Sequence, residues 1–193
     1  MSSSGFDQYL TVFSPEGTIF QVEYALNAVK GAGVLAVAVK AESGVAVVSQ
    51  KLVQEKLVDV SETMFLHPIS SSVYACVTGR VADGMELIRR CREEASDALF
   101  DTGHETSCAA LSRRMGELNQ LYVQHARSRL LAASLMLYGI DRGKPQLWKI
   151  ELSGLATGVK AAASGEKMTE AQGMLEKYLR DGIPKTEQEA LII

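Results

Sequence analysis

The run Val34–Val39 constrains this chain most, because it is apolar on both of the faces that a β-strand presents. A strand with one solvated face alternates apolar and polar residues. One that is apolar throughout needs cover on both sides and belongs in the middle of a sheet. The sequence therefore predicts a layered fold with a central strand here. Val45–Ser49 is a second β-type run, joined to the first by Lys40-Ala41-Glu42-Ser43-Gly44, which reads as a hairpin. Lys56–Val60 and Val73–Thr78 are read as further strands.

The period then changes. Val81, Met85, Ile88, Cys91, Ala95 and Ala98 step by three and four, as do Cys108, Leu111, Met115, Leu118 and Tyr122. Two helices follow from this, separated at Asp101-Thr102-Gly103 and expected to lie antiparallel. Strand signals return at Ala133–Ile140 and Gln146–Leu152 around a second hairpin at Asp141-Arg142-Gly143-Lys144-Pro145. The second arm alternates more strictly and should be the less buried. Ala156–Ala162 is predicted as one short strand. Met168, Ala171, Leu175, Tyr178 and Leu179 mark a third helix, stopped by Gly182-Ile183-Pro184. Strands and helices come in separate blocks, so the fold class is α+β, with two sheets stacked between two helix layers. A chain of 193 residues, 47% of them hydrophobic, suits one domain with a substantial core.

Composition excludes several functions. The formal charge of -3 gives no footprint for nucleic acid or an anionic membrane. The clusters at Arg89, Arg90 and Arg92 and at Arg113 and Arg114 sit on predicted helices among Glu93, Glu94 and Glu117, so they read as a solvated or subunit-facing surface. Cys76, Cys91 and Cys108 form no CxxC pair and read as small buried hydrophobes in a reducing compartment. His67, His104 and His125 are scattered and read as surface or loop residues, with no metal site and no cofactor expected. No signal peptide and no membrane-length apolar run is visible, so a soluble intracellular protein is expected. Gly31-x-Gly33-x-x-Ala36 has dinucleotide-loop spacing, but its order is helix, glycines, strand. A pyrophosphate site needs strand, glycine turn, helix. The reading is rejected.

The N-terminal stretch is the most specific. Ser14-Pro15-Glu16-Gly17 has type I turn chemistry. Thr18 and Gln21 are spaced as a capping box. Val22, Ala25, Leu26 and Val29 continue as an amphipathic helix over about residues 19–30. Taken together, Gly5-Phe6-Asp7-Gln8-Tyr9-Leu10-Thr11-Val12-Phe13-Ser14-Pro15-Glu16-Gly17 and the following Gln21-Val22-Glu23-Tyr24-Ala25 resemble the N-terminal signature of proteasome alpha subunits. That pattern runs Tyr-Asp-Arg, Thr-x-Phe-Ser-Pro-Glu-Gly, Gln-Val-Glu-Tyr-Ala. Thr78-Gly79-Arg80-Val81-Ala82-Asp83, Tyr122-Val123-Gln124, Gly139-Ile140-Asp141 and Lys160-Ala161-x-Ala163-x-Gly165 resemble later landmarks. Gly-Phe-Asp at the start is similar to the alpha type-six class, the first position of the ring.

The resemblance implies a four-layer αββα sandwich of two antiparallel sheets, the N-terminal nucleophile hydrolase-like fold. It implies a non-catalytic structural and gating subunit in a ring of seven alpha subunits, stacked on beta subunits and met by regulatory particles on the outer face. That assembly works in ubiquitin-dependent protein degradation in cytoplasm and nucleus. Residues 1–12 would be a gate tail and 13–193 a single alpha-type domain. Catalytic beta subunits use an N-terminal threonine supported by acidic and lysine residues. The matching positions here fall at Val34, Gln50 and Phe65, none of which can do that work, so no catalytic residue is expected. Asp7, Pro15 and Tyr24 match the positions that brace the gate turn. Phe6 stands where tyrosine is common, and Gln8 where arginine is usual. Met64-Phe65-Leu66-His67 lacks the lysine that family pockets offer to an activator's C-terminal carboxylate, so weak tail binding is expected there. Arg129-Leu130-Leu131-Ala132 departs from Arg-Pro-x-Gly, which predicts a different loop.

Thr186-Glu187-Gln188-Glu189 is a second capping box before a very short apolar helix, read as a chain truncated inside a helix or as a naturally short one finished by a partner. Two other functions are weighed against the alpha-ring role. A free-standing amidohydrolase on the same fold would need an exposed N-terminal nucleophile. A truncated non-proteasomal interaction domain would fail to co-purify with beta subunits.

Overall fold

The computed structural model describes residues 9, 11–53, 56–59, 64–125 and 128–192. In chain order the elements are helix α1 (Phe20–Lys30), strands β1 (Leu35–Lys40), β2 (Val45–Ser49), β3 (Leu66–Pro68) and β4 (Val73–Gly79), and helices α2 (Val81–Thr102) and α3 (Cys108–Gln124). Strands β5 (Ala133–Asp141), β6 (Lys144–Ile150), β7 (Ala156–Gly158) and β8 (Ala161–Gly165) follow, then helix α4 (Met168–Tyr178), a 3-10 turn (Leu179–Asp181) and helix α5 (Glu187–Ile192).

Among the described residues the strands form two antiparallel sheets, ordered β2-β1-β8 and β3-β4-β5-β6-β7. Strand β1 lies between two partners, as its two apolar faces require. Its Ala36 and Ala38 meet Cys76, Met136, Leu147 and Ala162 between the sheets. On the opposite side of that sheet, Val39, Ala46 and Ala163 pack with Leu175 of α4 and Ala190 of α5. The five-stranded sheet turns Ala75, Val77, Leu135, Leu137 and Ile150 towards Leu87, Ile88 and Cys91 of α2 and Leu111 and Met115 of α3. Two sheets between two helix layers give the α+β sandwich predicted from element order. Helices α2 and α3 run antiparallel: Glu94 pairs with Arg114, and one turn back along α2 the Arg90 guanidinium lies over the Tyr122 ring.

Two assignments change. Ala156–Ala162 is not one strand: β7 pairs with β6, and β8 crosses to pair with β1 in the other sheet. Local propensity cannot reveal such a crossing, because both halves read as strand. Lys56–Val58 are turn and bend, Asp59 belongs to no element, and Val60 lies outside the described residues. Leu57 is fully exposed, so its apolar side chain has no layer to join. The edge position is taken instead by β3, which at three residues is too short to show a period.

Candidate functional site

Residues 14–18 fold as a closed loop. The Gly17 amide donates to the Ser14 carbonyl at 2.9 Å, and the Ser14 amide donates to the Thr18 carbonyl at 2.8 Å. Gly17 has φ +80, the left-handed region that glycine enters without cost. This is the hydrogen-bond pattern of a three-residue hairpin loop, a turn closed by a left-handed glycine. Proline at position 15 and glycine at position 17 are the residues that such a loop demands.

The expected capping box at Thr18 and Gln21 does not form. Helix α1 starts at Phe20 behind Ile19, and no side chain caps it. Thr18 is drawn into the turn: its hydroxyl is 2.8 Å from that of Ser14, and its amide donates to Ser14 Oγ at 3.1 Å. Ser14 is buried, so its hydroxyl needs local partners and competes successfully for Thr18. The second capping box forms in its first half, and its reciprocal bond reaches one residue further back than expected. The Glu189 amide donates to Thr186 Oγ1 at 3.2 Å, while Glu189 Oε2 accepts from the Lys185 amide.

Helix α1 carries the turn onto the end of the sandwich. Ala25 and Val29 are buried against Leu130, Ala132 and Leu152, with Val22 and Leu26 beside them. Between this helix and the sheets lies a cavity of about 30 Å³, bordered by Leu26, Val29, Ser134, Lys149 and Ser164. Directly after the helix, Val34 is buried, and its carbonyl accepts the Glu166 amide at 3.1 Å. The Gln50 amide donates to the Leu35 carbonyl, and the Phe65 carbonyl accepts from Val77. Val34 is thus a core residue, while exposed Gln50 and half-buried Phe65 lie just outside β2 and β3 with their backbones bonded to β1 and β4. Phe13, Pro15 and Tyr24 stay exposed, and the Tyr24 ring stacks on Phe20 with centroids 6.3 Å apart. Phe6 and Asp7 lie outside the described residues, as does Gln8.

Two side chains depart from what their sequence context suggests. His67 is not a surface residue: it is buried on β3, and burial first, then the charge of Arg92, lowers its pKa, so it is neutral at pH 7. Arg129, in the divergent loop, is anchored. Its guanidinium donates to both carboxylate oxygens of Asp83 at 2.7 and 2.6 Å. His104 and His125 are exposed as expected. The three thiols are buried, and burial raises each pKa to about 12. Among the described residues no group of histidine, cysteine and carboxylate side chains could hold a metal, and no helix is long and apolar enough to cross a membrane.

A two-sheet sandwich between helix layers, with its end covered by an N-terminal helix, defines the αββα class. The chain belongs to the proteasome alpha family: residues 30–193 match the proteasome subunit family, and residues 6–28 match the N-terminal signature of its A-type subunits. It is 38% identical over 182 residues to a probable proteasome alpha type-1 subunit of Schizosaccharomyces pombe, covering 93% of this chain and 75% of that one. It is 34% identical over 191 residues to a proteasome alpha type-6 subunit of Caenorhabditis elegans, covering 98% and 78%. A proteasome alpha subunit of Methanococcus maripaludis is 36% identical over 180 residues, covering 93% and 69%. Alpha subunits are the non-catalytic ring subunits of a threonine protease whose catalysis lies in its beta subunits, and they assemble with other proteasome subunits.

Proposed function

We propose that this chain fills one position in a seven-membered alpha ring stacked on beta subunits, and that its N-terminal tail forms part of the gate controlling substrate entry. The observation that carries this reading is the rigid turn-and-helix unit. The Ser14–Thr18 loop and α1 fix the chain at one place on the sandwich, directly after the proposed tail in sequence. The exposed rings of Phe13 and Tyr24, the latter stacked on half-buried Phe20, are left for neighbouring subunits to cover. Aromatic residues of this kind dominate subunit contacts, because they bury large area at low entropic cost.

On this reading the chain is a structural subunit serving ubiquitin-dependent degradation in cytoplasm and nucleus, with regulatory particles docking on the outer ring face. Phe6, Asp7, Pro15 and Tyr24 are its gate and turn residues. The test is deletion of residues 1–11 within the assembled particle. Basal hydrolysis of a short fluorogenic peptide is expected to rise several-fold. An unchanged rate in an intact particle would remove this tail from the closed gate, and failure to co-purify with beta subunits would remove the ring role itself.

A further inference from the structure

The side chains of β5 that point between the two sheets are Ser134, Met136, Tyr138 and Ile140, and their cover runs out along the strand. Ser134 borders the small cavity against α1, and Met136 is buried under Ala36 and Ala38 of β1. Tyr138 is half-buried with Val45 and Val47 of β2, whereas Ile140 is 53% exposed. Strand β4 repeats the gradient. Thr78 bonds Ser164 of β8 through their hydroxyls, Cys76 is buried under β1, and Tyr74 is 43% exposed with its ring stacked on Tyr138. Along β4 and β5 the covering elements are thus α1, β8, β1 and β2 in turn, and beyond β2 the Tyr74 ring and Ile140 face solvent.

The edge of β2 is open on that same side. The Gln50 amide donates to the Leu35 carbonyl and the Ala41 amide to the Gly44 carbonyl, so Ala46 and Val48 turn their backbone groups to β1. Those of Val45, Val47 and Ser49 point the other way, where among the described residues no strand follows. The strand Val45–Ser49 has no charge, no proline and an unbroken register, so it lacks the devices that keep a free edge from pairing.

We propose that this edge docks one extended segment of a neighbouring protein chain, added as a further antiparallel strand whose inward side chains are apolar and cover Tyr74, Tyr138 and Ile140. A second copy of this chain does not fit. Pairing β2 with β2 across a twofold axis puts both five-stranded sheets on one side of the joined edge, and each already reaches past β2 into the same space. Charge fixes the polarity of the segment. Glu187 lies against Gly44 at the hairpin end of the edge, and exposed Lys51 follows the other end. Among the described residues neither makes an ion pair. An antiparallel segment that begins with an acidic residue and ends with a basic one meets both. The inference stands on sheet geometry and is independent of the ring position proposed above.

The experiment uses the full chain and the fluorescein-labelled heptapeptide Asp-Thr-Val-Thr-Val-Thr-Lys, with binding read by anisotropy. The side chains of Val45 and Val47 point between the sheets, so a segment residue paired with them turns its side chain inward and its amide to β2. Methylation of the two valine amides is therefore expected to weaken binding about tenfold, while methylation of the threonine amides leaves it unchanged. Val47→Pro removes one edge donor without touching a bond to β1 and should weaken binding similarly. Ile140→Lys should weaken it with the parent's thermal midpoint, which separates lost docking from lost folding. On binding, amide exchange should slow at Val47 and Ser49 and stay unchanged at Ala46 and Val48. Equal loss from the two methylated peptides, or unchanged exchange at Val47 and Ser49, would overturn the proposal. So would protection of those amides in a dimer of the free chain seen by light scattering, which would give the edge to a second copy.

Discussion

Asp83 is 2% exposed at the first turn of α2, where an unpaired carboxylate would be very costly. It accepts two hydrogen bonds from Arg129 and one from the Ala132 amide at 2.9 Å, and these hold its pKa below the usual carboxylate range. A depressed folded-state pKa means that the stabilisation is complete above the unfolded value near 4 and is lost as pH falls through the folded one. Most of the Arg129 side chain is in solvent, which screens its charge. The effect therefore resides mainly in the hydrogen bonds. Asp83→Asn is expected to cost about 2 kcal/mol at pH 7 and to flatten the acid limb of stability against pH, read by urea unfolding between pH 7 and pH 3. In sequence, Asp83 is visible only as one letter of a landmark. Its partner lies 46 residues away, and only the fold joins them.

At the scale of elements, the N-terminal turn is legible because its chemistry is local. Proline and glycine at fixed offsets leave few other conformations. The helix start is harder. Ser14 and Thr18 could each serve more than one amide, and burial of Ser14 decides between them. Ser14→Ala should remove the hydrogen bond to the Thr18 amide, costing about 1 kcal/mol locally. Amide exchange at Thr18 should then quicken several-fold while the β4 and β5 amides keep their protection. An unchanged rate at Thr18 would mean that the backbone bonds alone hold the turn. Gly165 carries a stricter demand that the sequence displays without explaining. It has φ +101, and a Cβ there would lie 1.8 Å from the Val34 carbonyl oxygen, so only glycine lets β8 close on the chain entering β1.

At the scale of the whole molecule, α1 packs across strands of both sheets. It covers the sandwich end beside Val34 and shields Leu130, Ala132 and Leu152 from water. Val29→Asp would place a charge among those groups and is expected to cost more than about 2 kcal/mol. Undocking of α1 should expose apolar surface, measurable as increased binding of a hydrophobic dye below the main unfolding transition. A dye response equal to the parent's would show that the helix tolerates the charge by rotating.

The sequence by itself determined the block order of strands and helices, the doubly covered strand β1, the antiparallel pair α2 and α3, the turn at Ser14–Gly17 and the family. All of these rest on periodicity, or on residue types at fixed short offsets, and both are local quantities. Tertiary structure alone decided that residues 156–165 divide between two sheets, that His67 is buried and that Asp83 clamps Arg129. Those outcomes depend on which distant surfaces meet when the two sheets and α1 close together. Burial then sets each group's charge and each hydroxyl's partner, and neither is written in its neighbours along the chain.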